Sequence, residues 1–506
     1  MKWCITVDIG TTATKVSVFT IDGQCVFSTA EEYSLEFPQE EWVEINFYEY
    51  YNAFRRGWKK FLAQNSIPQA EVTLICTSSQ GESIVAVDRQ GEPLSNGIVW
   101  LDNRARKEAQ KLSSIIENQF FYQRTGIPEI GPNWPITKIM WIRQNNPALY
   151  ASAYKFLLAE DFILYKLAKE FATNKSVACT TGFFDIIIEN WWQELLKEVN
   201  ISADLLPKIV LPGSVIGHLH PQTAKELSIQ GECLVVCGGM DQACGAIGAG
   251  NFMEGVISET TGTALAVAAT IQNPRFDLPN KIPYYCHSLK ERVYLALPYC
   301  PTSGIILKWF RDNFFDSPKN YEELIQMAED IPPGSEGLIL VPYFAGSLSP
   351  DYNPNARGIF FGATLSTKRA HFVRSILEGV AFALRENVEL IESMGVTTQR
   401  IVSLGGGAKS KVWLQIKADV LQRDIFKPHM EESTSLGAFI LGAVAVGYFP
   451  TLQIAYERLA KEGTIFYPRR NHQMVHESSF QKFRQIYARC REIFLLEEDD
   501  LHGTKS

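Results

Sequence analysis

The alternation of apolar and polar positions along the 506-residue chain is interrupted twice by the same figure. Residues 3 to 19, WCITVDIGTTATKVSVF, read as an apolar strand, a tight Gly-Thr turn and a second strand of β-branched residues. Residues 256 to 268, VISETTGTALAVA, read the same way. The turn glycines Gly10 and Gly262 stand 252 residues apart, about half the chain. A repeat of that period predicts two similar α/β lobes with a cleft between them, rather than an array of short units. The lobe boundary then falls between Ala246 and Glu254, giving lobes 1–248 and 249–506.

Within each half, strands alternate with amphipathic helices. Apolar residues at helical spacing predict helices from Phe47 to Gln64, Lys138 to Gln144, Ala153 to Lys169, Arg369 to Met394 and Lys411 to Leu421. Short β-branched runs predict strands at Val72 to Cys76, Ile84 to Val87, Leu234 to Val236 and Ile401 to Leu404. The charged residues after Leu495 read as a frayed tail.

Composition narrows the classes. With 46% apolar and 21% charged residues the chain is an ordinary globular one, long enough for large cores. Its net charge of −8 argues against nucleic acid or an anionic membrane as a partner, so any phosphate must be held locally. The longest apolar run, Ala438 to Phe449, is short of the roughly 20 residues that cross a bilayer. An acid at Asp8 interrupts any signal-peptide core, and the ten cysteines are scattered without a CxxC pair. These features predict a cytoplasmic protein with buried free thiols, and no zinc site at Cys233 and Cys237 or at His218 and His220.

Four segments can carry chemistry. Asp8-Ile9-Gly10-Thr11-Thr12, with Lys15 close behind, surrounds a concave turn with backbone N–H groups and hydroxyls able to hold phosphate oxygens. One such turn is as often a plain hairpin. Its echo at Thr260-Thr261-Gly262-Thr263 supplies the opposing turn that a nucleotide triphosphate requires. In GGMDQACGAIGAG, Asp241 stands between an apolar strand and a helix of small residues, where an acid can act as a general base. The glycines of Gly405-Gly406-Gly407-Ala408 permit close approach of a flat ligand, although a plain strand-to-helix loop has the same look. Ser79-Gln80-Gly81-Glu82 and Trp100-Leu101-Asp102-Asn103 place directional polar groups and an indole at strand ends, as a polyhydroxylated ligand needs. A GxxxxGK[ST] P-loop, a GxGxxG after a strand and a GxSxG elbow are all missing.

Together, in order, DIGTTATK, IVWLDNR, PITKIMWIRQN, GGMDQACGAIGAG, TTGT, SGIILKWFRD and SLGGGAKS resemble the FGGY family of carbohydrate kinases. That resemblance runs through nearly the whole chain and implies two actin-like (ribonuclease H-like) ATPase lobes, with the sugar and the base on the first lobe and the nucleotide on the second. It implies Asp241 as the base and Asp8 with Asp241 near Mg²⁺. Thr11, Thr12, Lys15, Thr261, Gly262, Thr263, Gly304, Lys308, Gly405, Gly406, Gly407 and Ala408 become ATP contacts. Gln80, Glu82, Trp100, Asp102, Asn133 and Gln242 become sugar contacts.

The departures bear on the sugar. Xylulokinases usually carry Met-His-Gly, and gluconate kinases Met-His-Ser, where this chain has Gly81-Glu82-Ser83. Glycerol kinases carry Gln-Arg-Glu, matched at Gln80 and Glu82 but not at Gly81, and a tyrosine where Asn133 stands. Glu82 disfavours an anionic sugar acid, and WLDNR with GGGAKS is more similar to the xylulokinase branch, so a neutral ketopentose such as xylulose is expected. Fuculose, ribulose or a glycerol-like polyol are the alternatives, and a homodimer is left open. From another class, an actin- or Hsp70-like ATPase acting on a protein would keep both Gly-Thr turns but would not need Gln80, Glu82, Trp100 and Asp102 beside Asp241, and Asp241 argues against a silent sugar sensor.

Overall fold

The computed structural model describes residues 2–276, 280–315, 319–430, 432–460 and 462–502. Two mixed sheets carry the repeat. In the first, strands run in the order Ser214–His218, Leu234–Met240, Ala70–Ser79, Lys2–Ile9, Ala13–Thr20, Cys25–Glu32. Lys2–Ile9 pairs antiparallel with Ala13–Thr20, placing Asp8 opposite Lys15, and parallel with Ala70–Ser79, placing Asp8 beside Ser78. Cys4, Ile5, Val7 and Ile9 are all fully buried, as a strand covered on both faces requires.

The second sheet repeats the plan. Val256–Thr261 pairs antiparallel with Leu265–Ile271 and parallel with Arg400–Leu404, and the row continues through Ile425–Pro428 to Gly463–Phe466. Both turns are closed by the glycine N–H, which donates to the Ala13 carbonyl three residues on from Gly10 and to the Ala264 carbonyl two residues on from Gly262, each at 2.9 Å.

The helix Tyr48–Gln64 buries Tyr50, Phe54, Trp58 and Phe61 at the spacing the sequence predicts, against the antiparallel side of the first sheet. Helices Arg369–Ser393 and Lys411–Leu421 also lie where periodicity places them. One predicted helix splits: Lys155–Leu158 is a strand paired with Ile84–Val87, and the helix begins at Ala159. Asp161 forces that start, because its carboxylate accepts the Leu158 N–H at 2.9 Å. The charged segment after Leu495 continues the helix Gln473–His502 instead of fraying, and residues 503–506 lie outside the described residues.

The cleft is built around two crossing helices, Asp241–Gly248 and Ser433–Ala445. A Cβ on Gly437 would come within 1.8 Å of the Cys244 carbonyl oxygen, and one on Gly248 within 1.9 Å of the Ser433 oxygen, so the backbones touch. Ser433–Ala445 also lies against the first sheet, where Phe439 stacks on Phe19 at 4.6 Å and Gly442 faces Leu74 and Cys76. The core beneath the first sheet therefore contains a helix contributed by the second half of the chain.

Candidate active site

Three carboxyls converge where the first sheet ends in the cleft. Asp8 closes the strand Lys2–Ile9, Asp241 opens the helix Asp241–Gly248, and Glu82 follows the strand Ala70–Ser79. Gly239, two residues before Asp241, lets the strand pass close to two serines, because a Cβ there would lie 2.1 Å from Ser288 Oγ and 2.4 Å from Ser176 Oγ. Burial lifts all three carboxyls above the ordinary range. Asp241 is pushed up to about 8 by burial and then by Asp8. Glu82 is pushed up to about 7 by burial, with Lys138 pulling the other way. Asp8 is raised by burial and lowered by Lys15. A half-buried acid whose proton is held near neutrality and which faces open space is suited to take a proton from a substrate hydroxyl. Asp241 and Gln242 line a cavity of about 190 Å³ together with Lys15, Thr260, Gly405 and Glu432.

The groups expected to meet a sugar form a chain. Trp100, about a third exposed, donates its indole N–H to Thr11 Oγ1 at 2.9 Å, and Thr11 donates to Gln80 Oε1 at 3.0 Å. Gln80 in turn donates to the Tyr50 hydroxyl at 3.0 Å. Thr11 thus faces the sugar side, while Thr12 is exposed at the turn. Glu82 sits at φ 60°, its N–H donating to Thr180 Oγ1 at 3.2 Å. The fully buried Lys138 ammonium donates to the carbonyls of Glu82 at 3.1 Å and Val99 at 2.9 Å, so one cation pins both loops. Sequence reading missed Lys138, although a lysine on the buried side of the helix Pro135–Asn145 was its signal.

Asp102 does not face the cleft. It is fully buried, accepts Arg104 Nε and Nη2 between 2.8 and 2.9 Å and takes the Val43 N–H at 2.6 Å. It anchors the loop behind Trp100, and its carboxylate has no capacity left for a sugar. Asn133 is half-buried in the turn before the helix that carries Lys138.

The Thr260–Thr263 turn meets both Gly304 and the Gly405–Ala408 loop directly. Gly304 N–H donates to the Gly262 carbonyl at 2.9 Å, and a Cβ on Gly304 would lie 2.5 Å from that oxygen. Gly405 adopts φ 76°, and a Cβ on Gly407 would lie 2.6 Å from Thr261 Cγ2. Gly406 is exposed at the mouth and Ala408 is buried behind it. Thr263 is exposed, but the Thr261 side chain is fully buried, so only its backbone can serve a ligand. Lys308 points along its own helix to Asp312 at 2.7 Å.

Comparison with known proteins decides what this arrangement is. Residues 3–248 match the N-terminal domain, and residues 258–446 the C-terminal domain, of the FGGY family of carbohydrate kinases. The chain belongs to the FGGY family. As an FGGY protein it is a sugar kinase, with ATP as the phosphoryl donor. It is 32% identical over 456 residues to a gluconokinase of Bacillus subtilis (strain 168), covering 88% of each chain. It is 27% identical to a xylulose kinase of the same organism, covering 97% of this chain and 98% of that one. Its fold superposes on a ligand-bound xylulose kinase from Lactobacillus acidophilus with a TM-score of 0.87, at 26% identity over 97% of this chain and 98% of that one. This FGGY kinase thus has the actin-like two-lobed ATPase architecture that its sequence predicts.

Among the described residues no helix is long and apolar enough to cross a membrane. All ten cysteines are free.

Proposed function

We propose that the chain transfers the γ-phosphoryl group of ATP to a hydroxyl of a neutral ketose, with a ketopentose such as xylulose the favoured acceptor. The observation that carries this reading is Asp241, a half-buried acid lifted to about 8 that opens on a cavity shared with Lys15 and Thr260. Asp241 takes the proton of the attacking hydroxyl. Gln80, Glu82 and Trp100 hold the sugar on the first lobe, residues 1–248, with Gln242 reaching in from the helix start and Asn133 bordering the site. The second lobe, residues 249–506, holds the nucleotide on Thr261 to Thr263, Gly304 and Gly405 to Ala408.

Mg²⁺ fits the first lobe's acids. Asp8 Oδ1 is buried without a hydrogen-bond partner, and the donors nearby are carboxylate oxygens, which suit a hard cation. Asp8 and Asp241 would hold it, and when bound it neutralises charge on the transferring phosphoryl group. Closure of the lobes about the crossing helices excludes water from the transfer.

The acceptor follows from charge. Beside Asp241 stand Glu82 and Asp8, the buried Lys138 is committed to two carbonyls and Lys15 is paired with Glu432, so little positive charge is left for a sugar carboxylate. A partly protonated Glu82 can instead both donate to and accept from a neutral hydroxyl. The identity to a gluconokinase makes gluconate the sugar acid to include in the test. An ADP-release screen over xylulose, ribulose, fuculose, glycerol and gluconate decides it. Turnover of xylulose with none of gluconate is expected, and turnover of gluconate alone overturns the assignment of the acceptor. Free thiols throughout the chain suit a reducing, cytoplasmic setting.

A further inference from the structure

Beneath the second phosphate turn lies an ion pair cut off from solvent. Lys417, on the helix Lys411–Leu421, and Glu259, on the strand Val256–Thr261, are both fully buried and 2.6 Å apart. The Lys417 ammonium donates to Glu259 Oε1, to Thr261 Oγ1 at 2.8 Å and to Ser403 Oγ at 3.4 Å. Thr261 donates to Glu259 Oε2 at 2.7 Å, and Ser403 to Glu259 Oε1. Every proton of the ammonium and both oxygens of the carboxylate are thus used, and the group ties two strands and a helix together at one point.

What this network fixes is Thr261. Its hydroxyl is held from two sides, which sets the rotamer and therefore the position of its methyl group. That methyl group is the surface on which Gly407 rests, and the Thr261 carbonyl is what Gly405 approaches to within 2.9 Å of a notional Cβ. The next residue, Gly262, is the phosphate turn itself. An apolar pair of similar volume would pack these elements as stably, because desolvating two ions offsets most of their attraction. What the charged pair adds is direction: a fixed angle between the Thr261–Thr263 turn and the Gly405–Ala408 loop.

We propose that Lys417 and Glu259 are positioning residues that set the two nucleotide loops in register through Thr261. The proposal rests on the nucleotide reading of those loops. None of these three side chains touches the ligand; they act through the backbone that does.

The test uses the full chain and MgADP as the probe, followed by calorimetry, with the Michaelis constants for ATP and for whichever sugar turns over measured alongside. Thr261→Val keeps the methyl group and removes the hydroxyl. Glu259→Gln with Lys417→Met removes both charges together and leaves no lone buried ion. Each is expected to weaken MgADP binding and raise the ATP KM about tenfold, while the sugar KM stays within about twofold. Thr261→Ser restores the hydroxyl but lacks the methyl group on which Gly407 rests, so it is expected to recover only the part of the loss carried through the Thr261 carbonyl and Gly405. Equal shifts in both Michaelis constants, or unchanged MgADP affinity, overturn the proposal. If the double variant does not fold, Thr261→Val and Thr261→Ser decide alone. Failure of the unaltered protein to bind MgADP overturns the nucleotide reading itself, a separate outcome from variants that bind as tightly as their parent.

Discussion

Lys15, on the strand that follows the first Gly-Thr turn, is ion-paired across the cleft with Glu432, at the head of the helix Ser433–Ala445. The lysine lies opposite Asp8 in the sheet, and both members of the pair line the cavity that Asp241 lines. Both side chains are about a third exposed, which limits the strength of the pair to about 1 kcal/mol. On the proposed reading, nucleotide phosphates and Glu432 would compete for one ammonium. Glu432→Gln is therefore expected to lower the ATP KM by a factor of about 2–5 with little change in kcat. Initial rates of ADP release at varied ATP measure it, and an unchanged or raised KM would show that the pair does not compete with the nucleotide.

Asp241→Asn is expected to reduce turnover by about 10²–10⁴-fold while MgADP still binds. The base must be ionised to accept a proton, and burial with Asp8 holds it protonated up to about 8. At sub-saturating MgATP, kcat/KM for the sugar should rise with pH between about 6 and 8, approaching one decade per unit at the acid end. The Asn variant's residual rate should lack that limb. A pH profile of both proteins is the check.

The same shift predicts a stability effect of defined sign. A carboxyl lifted from 3.8 to about 8 on folding binds its proton more tightly in the native state. The native chain is then not penalised below pH 4, loses stability as pH rises from about 4 to 8, and loses no more above that. The melting temperature of Asp241→Asn should exceed that of the parent by a margin that widens from pH 5 to pH 8. A margin that is constant or narrows with pH would contradict the placement of Asp241 in a desolvated site.

How much of this was legible in the sequence depended on distance along the chain. The Gly-Thr turns, Asp241 and the Gly405 loop are local signals, and each lies at the strand end where alternation placed it. Asp102 looked like a ligand because a carboxylate after a strand usually faces outward, but the Arg104 fork two residues away claims it. Thr261 looked like a phosphate ligand by analogy with Thr11, until Glu259 and Lys417 drew its hydroxyl inward. Glu432 could not be read at all, since its partner is 417 residues distant and nothing local marks it. Glu259 and Lys138 did carry a faint signal, each a lone charge on an otherwise buried face, which favours a committed partner over solvent.

The crossing of the two cleft helices gives a further test. Gly437→Ala would drive a methyl group into the Cys244 carbonyl, and backbone on both sides leaves no flexible side chain to yield. Overpacking of this kind costs about 1–3 kcal/mol or more. Calorimetry should show a melting temperature lowered by several degrees, and the ATP KM should rise because both helices border the cavity that Asp241 lines, the proposed meeting point of sugar and nucleotide. Gly447→Ala is a poor control despite the open space around it, because its φ of 82° strains any side chain. Ala445→Ser on the same helix, beyond the crossing, is the better comparison and should leave both quantities near their parent values.

Trp100 separates the two contributions expected at the sugar site. Its ring face is available to the carbons of a sugar, and its N–H holds Thr11, which in turn orients Gln80. Trp100→Phe keeps an aromatic face and removes the hydrogen bond, worth about 1 kcal/mol, so the sugar KM should rise about fivefold. Trp100→Ala removes both and should raise it by a further factor of about ten, an additional 1.4 kcal/mol. Neither change should move the ATP KM by more than about twofold, because Gly304 and the Gly405–Ala408 loop lie by the other sheet and Lys15 makes no hydrogen bond to Trp100 or Gln80 in the chain that Trp100 orients. Steady-state titration of each substrate against the other distinguishes these effects, and an ATP KM that follows the sugar KM would place Trp100 in the closure of the lobes instead of in sugar contact.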